Sequence, residues 1–239
     1  MLATMPSLLA LGVPAGAGLM LYAVAGRSAT WLAPSVWKGP ADRKEIALTF
    51  DDGPSESTPE LLDILSRNGV HATFFQNGAN IRRVPSIAND VRFEGHEIGN
   101  HGDMHPYYYL KSPAFIEADI ERCQRTIEDV HGLSPRWFRP PYGLRWFGMR
   151  SIYSRFRLTG VQWTVIGWDW SWNSDRVVKF VVPRVKNGAI ICLHDGREIK
   201  PKPDIRNTLT AVSRLVPMLK DQGFSFRTMS EMFPIGTKF

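Results

Sequence analysis

The chain has 239 residues, 44% of them hydrophobic and 22% charged. That balance fits a globular protein able to bury a substantial core and excludes a disordered or fibrous one. The net charge of +6 favours anionic partners, but no run of five Lys or Arg occurs, so a scattered cationic surface is expected and no nucleic acid partner.

Residues 7–25, SLLALGVPAGAGLMLYAVA, carry no charge, and the first charged residue is Arg27. About 19 uncharged residues approach the length that spans a bilayer. The expectation is a hydrophobic helix acting as a membrane anchor or signal segment over residues 1–27, followed by a linker over 28–42 that contains Pro34 and Pro40. A secretory signal cleaved after Ala23-Val24-Ala25 and a buried helix are the competing readings. Arg27, Lys38, Arg43 and Lys44 all follow the segment, which by the positive-inside rule would hold the rest of the chain in the cytoplasm. An envelope substrate argues for the periplasm or cell exterior, which is the location expected here.

From Glu45 onward strand-like and helix-like runs alternate. Glu45–Phe50 reads as a strand ending in two acids. Thr58, capping Pro59, opens a helix with Leu61, Leu62 and Leu65 inward and Gly69 at its end. Residues 72–75 read as a second strand, 85–93 as a helix, and 97–99 as a brief strand. Ser112-Pro113 opens a clearer helix whose apolar stripe is Ile116, Ile120, Cys123, Ile127 and Val130, stopped by Gly132. Strands are expected from Trp137 and over 161–166, 189–193 and 224–226, and helices over 175–185 and 207–220, with Pro217 as a kink. The two cysteines, Cys123 and Cys192, fall in apolar runs and are expected as buried thiols. Such alternation implies a parallel α/β fold with right-handed crossovers, barrel-like, over residues 43–239.

Four polar clusters follow predicted strands, where β/α barrels place their active sites. Asp51 and Asp52 are adjacent carboxylates that call for a nearby cation; a bend supplied by Gly53-Pro54 would turn both to one site. His101 and His105 are four apart, a spacing that meets on one helical face and, with a carboxylate, suits zinc. In Arg139-Pro140-Pro141-Tyr142-Gly143 two prolines remove two donors, leaving the Tyr142 N–H as a candidate oxyanion donor, and Arg139 can pair bidentately with a carboxylate. His194, at the end of an apolar strand, suits acid–base work. His71, His96 and His131 are expected to be structural.

Taken in order, Thr-Phe-Asp-Asp-Gly, His-x-x-x-His, Arg-Pro-Pro-Tyr-Gly, Asp-Trp and Leu-His-Asp resemble the polysaccharide deacetylase family, the NodB-homology domain or carbohydrate esterase family four, from about Glu45 to Met232. The resemblance implies a distorted (β/α)7 barrel and a metal-dependent hydrolase that deacetylates N-acetylated amino sugars in a glycan such as peptidoglycan, a chitin-like oligosaccharide or an exopolysaccharide. By motif, Asp52, His101 and His105 would hold one divalent ion, usually zinc. Asp51 would be the general base, oriented by Arg139. The Tyr142 N–H would stabilise the oxyanion, His194 would be the general acid, and Trp170 and Leu193 would wall the acyl pocket. Two departures stand out. Ile166 occupies the first acidic position of the family's Asp-x-x-Asp-Trp motif, an acid expected to support the catalytic histidine, so Asp169 or Asp195 would have to substitute. Gly102 stands where Ser or Thr is common, removing a hydrogen bond near the metal. A deacylase or deformylase of a lipid-linked amino sugar and a glycan-binding pseudoenzyme are the alternative functions.

Overall fold

Among the described residues nine β-strands, all paired in parallel, form one sheet in the order β1-β6-β5-β4-β3-β2-β8-β7, with β9 pairing the start of β2. The structure, a computed structural model, describes residues 8–237. In chain order the elements are α1 (Leu8–Ala25), β1 (Ser35–Val36), β2 (Glu45–Gly53), α2 (Thr58–Arg67), β3 (Thr73–Gln76), α3 (Gly78–Arg83), α4 (Pro85–Phe93), β4 (Glu97–Asn100), α5 (Pro113–His131), β5 (Trp137–Phe138), α6 (Met149–Phe156), β6 (Thr159–Val161), β7 (Val165–Ile166), α7 (Ser174–Val181), β8 (Ile190–His194), α8 (Arg206–Asp221), β9 (Ser225–Arg227) and α9 (Met229–Met232). Among the described residues β1 and β7 are not paired with each other, so the barrel is open at that seam. This is the distorted β/α barrel that the alternation and the resemblance imply.

The centre of the sheet is apolar for a physical reason. Strands β2 and β8 are covered on both faces, so every residue from Ile46 to Gly53 and from Ile190 to Leu193 is buried. Leu61, Leu62 and Leu65 of α2, Val177 and Val181 of α7, and Leu209, Val212, Leu215 and Val216 of α8 pack with Leu48, Phe50 and Ile191 in the main core. Helix α5 begins as expected: the Ser112 side chain accepts the Phe115 N–H, and Gly132 ends the helix at φ 64°. Its stripe residues Ile116, Ile120, Cys123 and Ile127 are all fully buried. Both cysteines are free and buried.

Several elements differ from the sequence expectation. The stretch expected as one strand over 161–166 is two: β6 pairs β5 and β1, whereas β7 pairs β8. The chain thus crosses the open seam between them, which periodicity cannot reveal. Helices α3 and α6 were not expected, being short at six and eight residues. Thr58 does not cap its own helix; its hydroxyl accepts the Ser55 N–H and donates to Asp195.

The N-terminal region is folded onto the barrel. No helix among the described residues is long and apolar enough to cross a membrane, so the expected membrane anchor is not supported by them; residues 1–7 of that segment lie outside the described residues. The C-terminal end of α1 is held by the barrel instead. Arg145, fully buried, donates to the carbonyls of Ala29 (2.7 Å) and Gly26, and its own N–H donates to Val24. Arg27 reaches the Thr164 carbonyl at 2.6 Å. Within the expected linker, β1 pairs with β6 through Ser35–Gly160 and Val36–Val161. Ala29, Ala33 and Val36 are at most 6% exposed. Deleting residues 1–42 is therefore expected to cost roughly 2 kcal/mol or more from lost side-chain burial. For a chain this size that is a fall of roughly 4–8 °C in the thermal unfolding midpoint, measurable by circular dichroism; an unchanged midpoint would mean that these residues contribute nothing to the barrel.

Candidate active site

The strands run in one direction, so their C-terminal ends gather the polar clusters on one face. Asp51 and Asp52 end β2, His101 follows β4, Arg139 follows β5, Asp169 and Trp170 follow β7, and His194 ends β8. They meet at a cavity of about 700 Å³. Its lining includes Asp51, Asp52, His101, His105, Tyr142 and His194.

The two carboxylates of β2 face the same cavity because the strand is irregular there. Its register against β3 slips between Asp51 and Gly53, and Asp52 lies in the left-handed region at φ 70°. The turn that was expected from Gly53-Pro54 is made at Asp52 itself, a conformation worth about 1–3 kcal/mol of strain that surrounding bonds must hold. Asp52 Oδ2 accepts the Glu198 N–H at 2.9 Å, and Asn80 donates to the Asp52 carbonyl at 2.7 Å.

His101 and His105 do not share a helical face. The segment after β4 is irregular, with Gly102 at φ 79° and His105 at φ 53°. Even so, it brings the rings to 5.0 Å between centroids. Asp52 Oδ1 lies 3.3 Å from His101 Nε2 and 3.1 Å from His105 Nε2. His101 Nδ1 is 2.7 Å from the Arg139 carbonyl; a carbonyl can only accept, so Nδ1 carries the proton and the neutral ring offers an Nε2 lone pair. Asp52 Oδ1 is buried with no hydrogen-bond partner. Burial by itself would raise the Asp52 pKa, but the imidazoles of His105 and His101 close beside it, with His194 beyond, hold it well below the usual carboxylate value. One orphaned carboxylate oxygen facing two imidazole nitrogens, all within 4.8 Å of one another, is a donor set that fits a divalent cation.

Asp51 is held from the other side. Arg139, fully buried, donates through one nitrogen to Asp51 Oδ1 and to Thr49 Oγ1, both at 2.7 Å. The pair is single-pronged, not the bidentate fork that was expected, because the remaining donors go to the carbonyls of Val161 and Gln162. Asp51 Oδ2 is left facing the cavity, with the Cys192 thiol 3.4 Å away. Tyr142 has φ 58° and ψ 8°. The hydrogen bonds of its turn run from Gly143 to Pro140 and from Leu144 to Pro141, so the Tyr142 N–H takes part in neither. The phenol donates to Glu198 at 2.7 Å, and its ring stacks on Tyr107 at 3.8 Å.

His194 is supported by Asp169, the acid beside Trp170, so the acid expected at position 166 is not the one that does this. Asp169 Oδ1 lies 3.0 Å from His194 Nδ1, while Oδ2 accepts the His194 N–H at 2.9 Å and the Thr208 hydroxyl at 2.6 Å. Burial alone would lower the His194 pKa, but Asp169, with Asp52 and Asp51 beyond it, raises it to about 9. Asp195 points elsewhere: Thr58 donates to its Oδ2 at 2.8 Å, and burial raises its pKa to about 7. Trp170 stands against His194, ring centroids 4.7 Å apart. Leu193 is fully buried and does not line the cavity; it packs under Gly167, where a Cβ would lie 2.2 Å from its Cδ2. The apolar wall is made by Trp163, Ile166, Trp168 and Trp170.

His131 and His96 are structural. His131 Nε2 pairs with Gln76 at 2.9 Å, and His96 Nδ1 accepts the Ala72 N–H; burial lowers both pKa values to about 4. Sequence reasoning did not single out Thr49, Asn80, Trp163, Glu198 or Thr208. Each acts on the site across more than 20 residues of chain or from a loop with no pattern of its own.

An open parallel β/α barrel with an Asp-His-His cluster flanked by a supported carboxylate and a supported histidine defines a hydrolase of the deacetylase class. The sequence matches the polysaccharide deacetylase family over residues 38–161, and the chain belongs to that family, as a hydrolase of carbon–nitrogen bonds other than peptide bonds. It is 36% identical over 207 residues to a peptidoglycan-N-acetylglucosamine deacetylase of Bacillus cereus, covering 82% of this chain and 91% of the relative. It is 32% identical to a chitooligosaccharide deacetylase of a Bradyrhizobium species, covering 79% and 90%. Among solved structures it is similar to a peptidoglycan N-acetylglucosamine deacetylase in complex with 4-naphthalen-1-yl-N-oxidanyl-benzamide, with a TM-score of 0.78, 32% identity, and coverage of 82% of this chain and 91% of that one.

Proposed function

We propose that the chain deacetylates N-acetylated amino sugars of an envelope glycan, with one divalent cation, zinc by its donor set, held by Asp52, His101 and His105. Residues 43–239 are the catalytic domain in this reading, and residues 28–42 add its edge strand. The observation that carries it is the buried, unpartnered Asp52 Oδ1 facing two imidazole nitrogens, with Asp51 and His194 in the same cavity. Both kinds of curated relative named above, acting on peptidoglycan and on chitooligosaccharides, support a glycan as substrate.

A divalent cation bound there supplies Lewis acidity toward the amide carbonyl and lowers the pKa of adjacent water. The chain's own groups do the rest. Asp51, its Oδ1 fixed by Arg139, takes the proton from the attacking water through Oδ2. The Tyr142 N–H donates to the oxyanion that forms on the former carbonyl. An amine is a poor leaving group until protonated; His194 delivers that proton from Nε2, because Nδ1 is engaged by Asp169. Trp170 and the neighbouring tryptophans exclude water from one side of the amide. A base and an acid acting in one turnover give a bell-shaped pH profile.

The test uses the full chain, stripped of metal and reloaded with zinc, on peptidoglycan fragments and chitooligosaccharides, with acetate and formate measured separately. Acetate is expected. Chelation is expected to reduce activity to background and zinc to restore it, and His105→Ala is expected to weaken zinc binding by more than the roughly 10–100-fold typical of losing an outer partner. Formate release without acetate, or no zinc binding by the folded protein, would overturn the proposal.

A further inference from the structure

Gly102 lies between the two cluster histidines at φ 79°. A Cβ there would fall 2.6 Å from both Asp119 Oδ2 and Tyr108 Oη. The place of a side chain at 102 is therefore already taken by two groups from elsewhere in the fold. Asp119, on α5, is 6% exposed, and Tyr108 is fully buried. Asp119 Oδ2 accepts the Asp103 N–H at 3.0 Å and the Tyr108 hydroxyl at 2.7 Å; Oδ1 accepts the Met104 N–H at 3.1 Å. Both N–H groups belong to the irregular segment between His101 and His105.

That segment has two residues in the left-handed region, Gly102 and His105, and no regular hydrogen bonding to hold it. Its shape is imposed from outside. Asn77 donates to the carbonyls of His101 and Gly102, Asn100 accepts the Gly102 N–H, and Arg82 grips the Asp103 carboxylate at 2.7 and 3.0 Å. These contacts leave the N–H groups of Asp103 and Met104 to Asp119. Asp119 itself does not line the cavity.

We infer that Asp119, backed by Tyr108, is a positioning residue for the metal site, doing from α5 what a hydroxyl at position 102 would otherwise do. The inference rests on the reading that Asp52, His101 and His105 hold a divalent cation. Fixing the segment in advance means that the two imidazoles need not be ordered when the cation binds. Loss of Asp119 would then appear in cation affinity before it appears elsewhere.

Zinc affinity of the full chain, measured by competition with a chromophoric chelator, tests this without an activity assay. Asp119→Ala is expected to weaken zinc binding about 10–100-fold. Asp119→Asn keeps one acceptor oxygen and is expected to lose less, and Tyr108→Phe, which spares both N–H bonds, least. Ile127→Val, a cavity-forming change on the same helix, is the control: it lowers the unfolding midpoint and leaves zinc affinity unchanged. Where the alanine variant does not fold, the asparagine variant decides. Zinc affinity within twofold of the unaltered protein in either folded Asp119 variant overturns the inference alone. Failure of the unaltered protein to bind zinc overturns the functional reading and this inference with it.

Discussion

Asp51→Asn is expected to lower kcat by about 10²–10⁴-fold, the usual worth of a positioned general base, while zinc affinity changes little. The side chain keeps its size and can still accept from Arg139, but it can no longer take a proton from water. Asp51 Oδ2 lies 4.0 Å from His101 Nε2, farther than Asp52 Oδ1 from either cluster histidine, so the cation keeps its protein donors. The substitution also removes the negative partner of a fully buried guanidinium. Arg139 retains Thr49 and two carbonyls as acceptors, which limits the damage below the roughly 3–5 kcal/mol seen when a buried pair is broken outright. Kinetics, zinc titration and the unfolding midpoint together check the assignment. A variant with kcat within tenfold of the unaltered protein would remove Asp51 from the role of base.

Asp169→Asn is expected to be nearly as severe, and to act through pH. His194 is under two opposed influences: burial disfavours its charged form, and the Asp169 carboxylate 3.0 Å away favours it more, giving a pKa of about 9. With the carboxylate gone, burial is opposed only by the more distant Asp52 and Asp51, and the pKa falls from about 9. A larger share of the rings would then be uncharged at neutral pH and unable to protonate the departing amine. The alkaline limb of the kcat profile, which a cation at Asp52 places at or somewhat below pH 9, should move toward acid. The loss at pH 7.5 should be about 10²-fold or more. Stability shifts with the same sign. A group whose pKa is raised on folding contributes fully below about 6.5 and loses that contribution as pH rises through about 9. The unaltered protein should therefore lose midpoint temperature across that window, and Asp169→Asn should lose less. An alkaline limb that stays in place would show that His194 is not the titrating acid.

These effects depend on contacts that the linear order shows only in part. The motifs Asp51-Asp52, His101…His105, Arg139…Tyr142 and His194 were legible because each is local: a few residues at a strand end, with chemistry written in their types. The parallel β/α order was legible for the same reason, since apolar runs and the Ser112 and Gly132 caps act over a few residues. His101 and His105 were correctly paired for a wrong reason, as the segment is irregular and not helical. The choice between Asp169 and Asp195 as support for His194 could not be read locally, because Asp195 is adjacent in the chain yet turned to Thr58, whereas Asp169 is 25 residues away and in contact.

By itself, then, the sequence determined the family, the alternation of parallel strands with helices, and which motif residues to look for at the strand ends: Asp51, Asp52, His101, His105 and His194, which the fold brings to one cavity. These follow from short-range pattern and side-chain chemistry. Only the tertiary structure decided that residues 35–36 join the sheet, that 161–166 splits across the open seam, that Arg139 holds Asp51 through one nitrogen and not as a fork, and that Asp119 occupies the space left at Gly102. Those outcomes are set by packing and by the satisfaction of buried polar groups, which depend on the relative placement of distant segments, and one-dimensional periodicity carries no term for that.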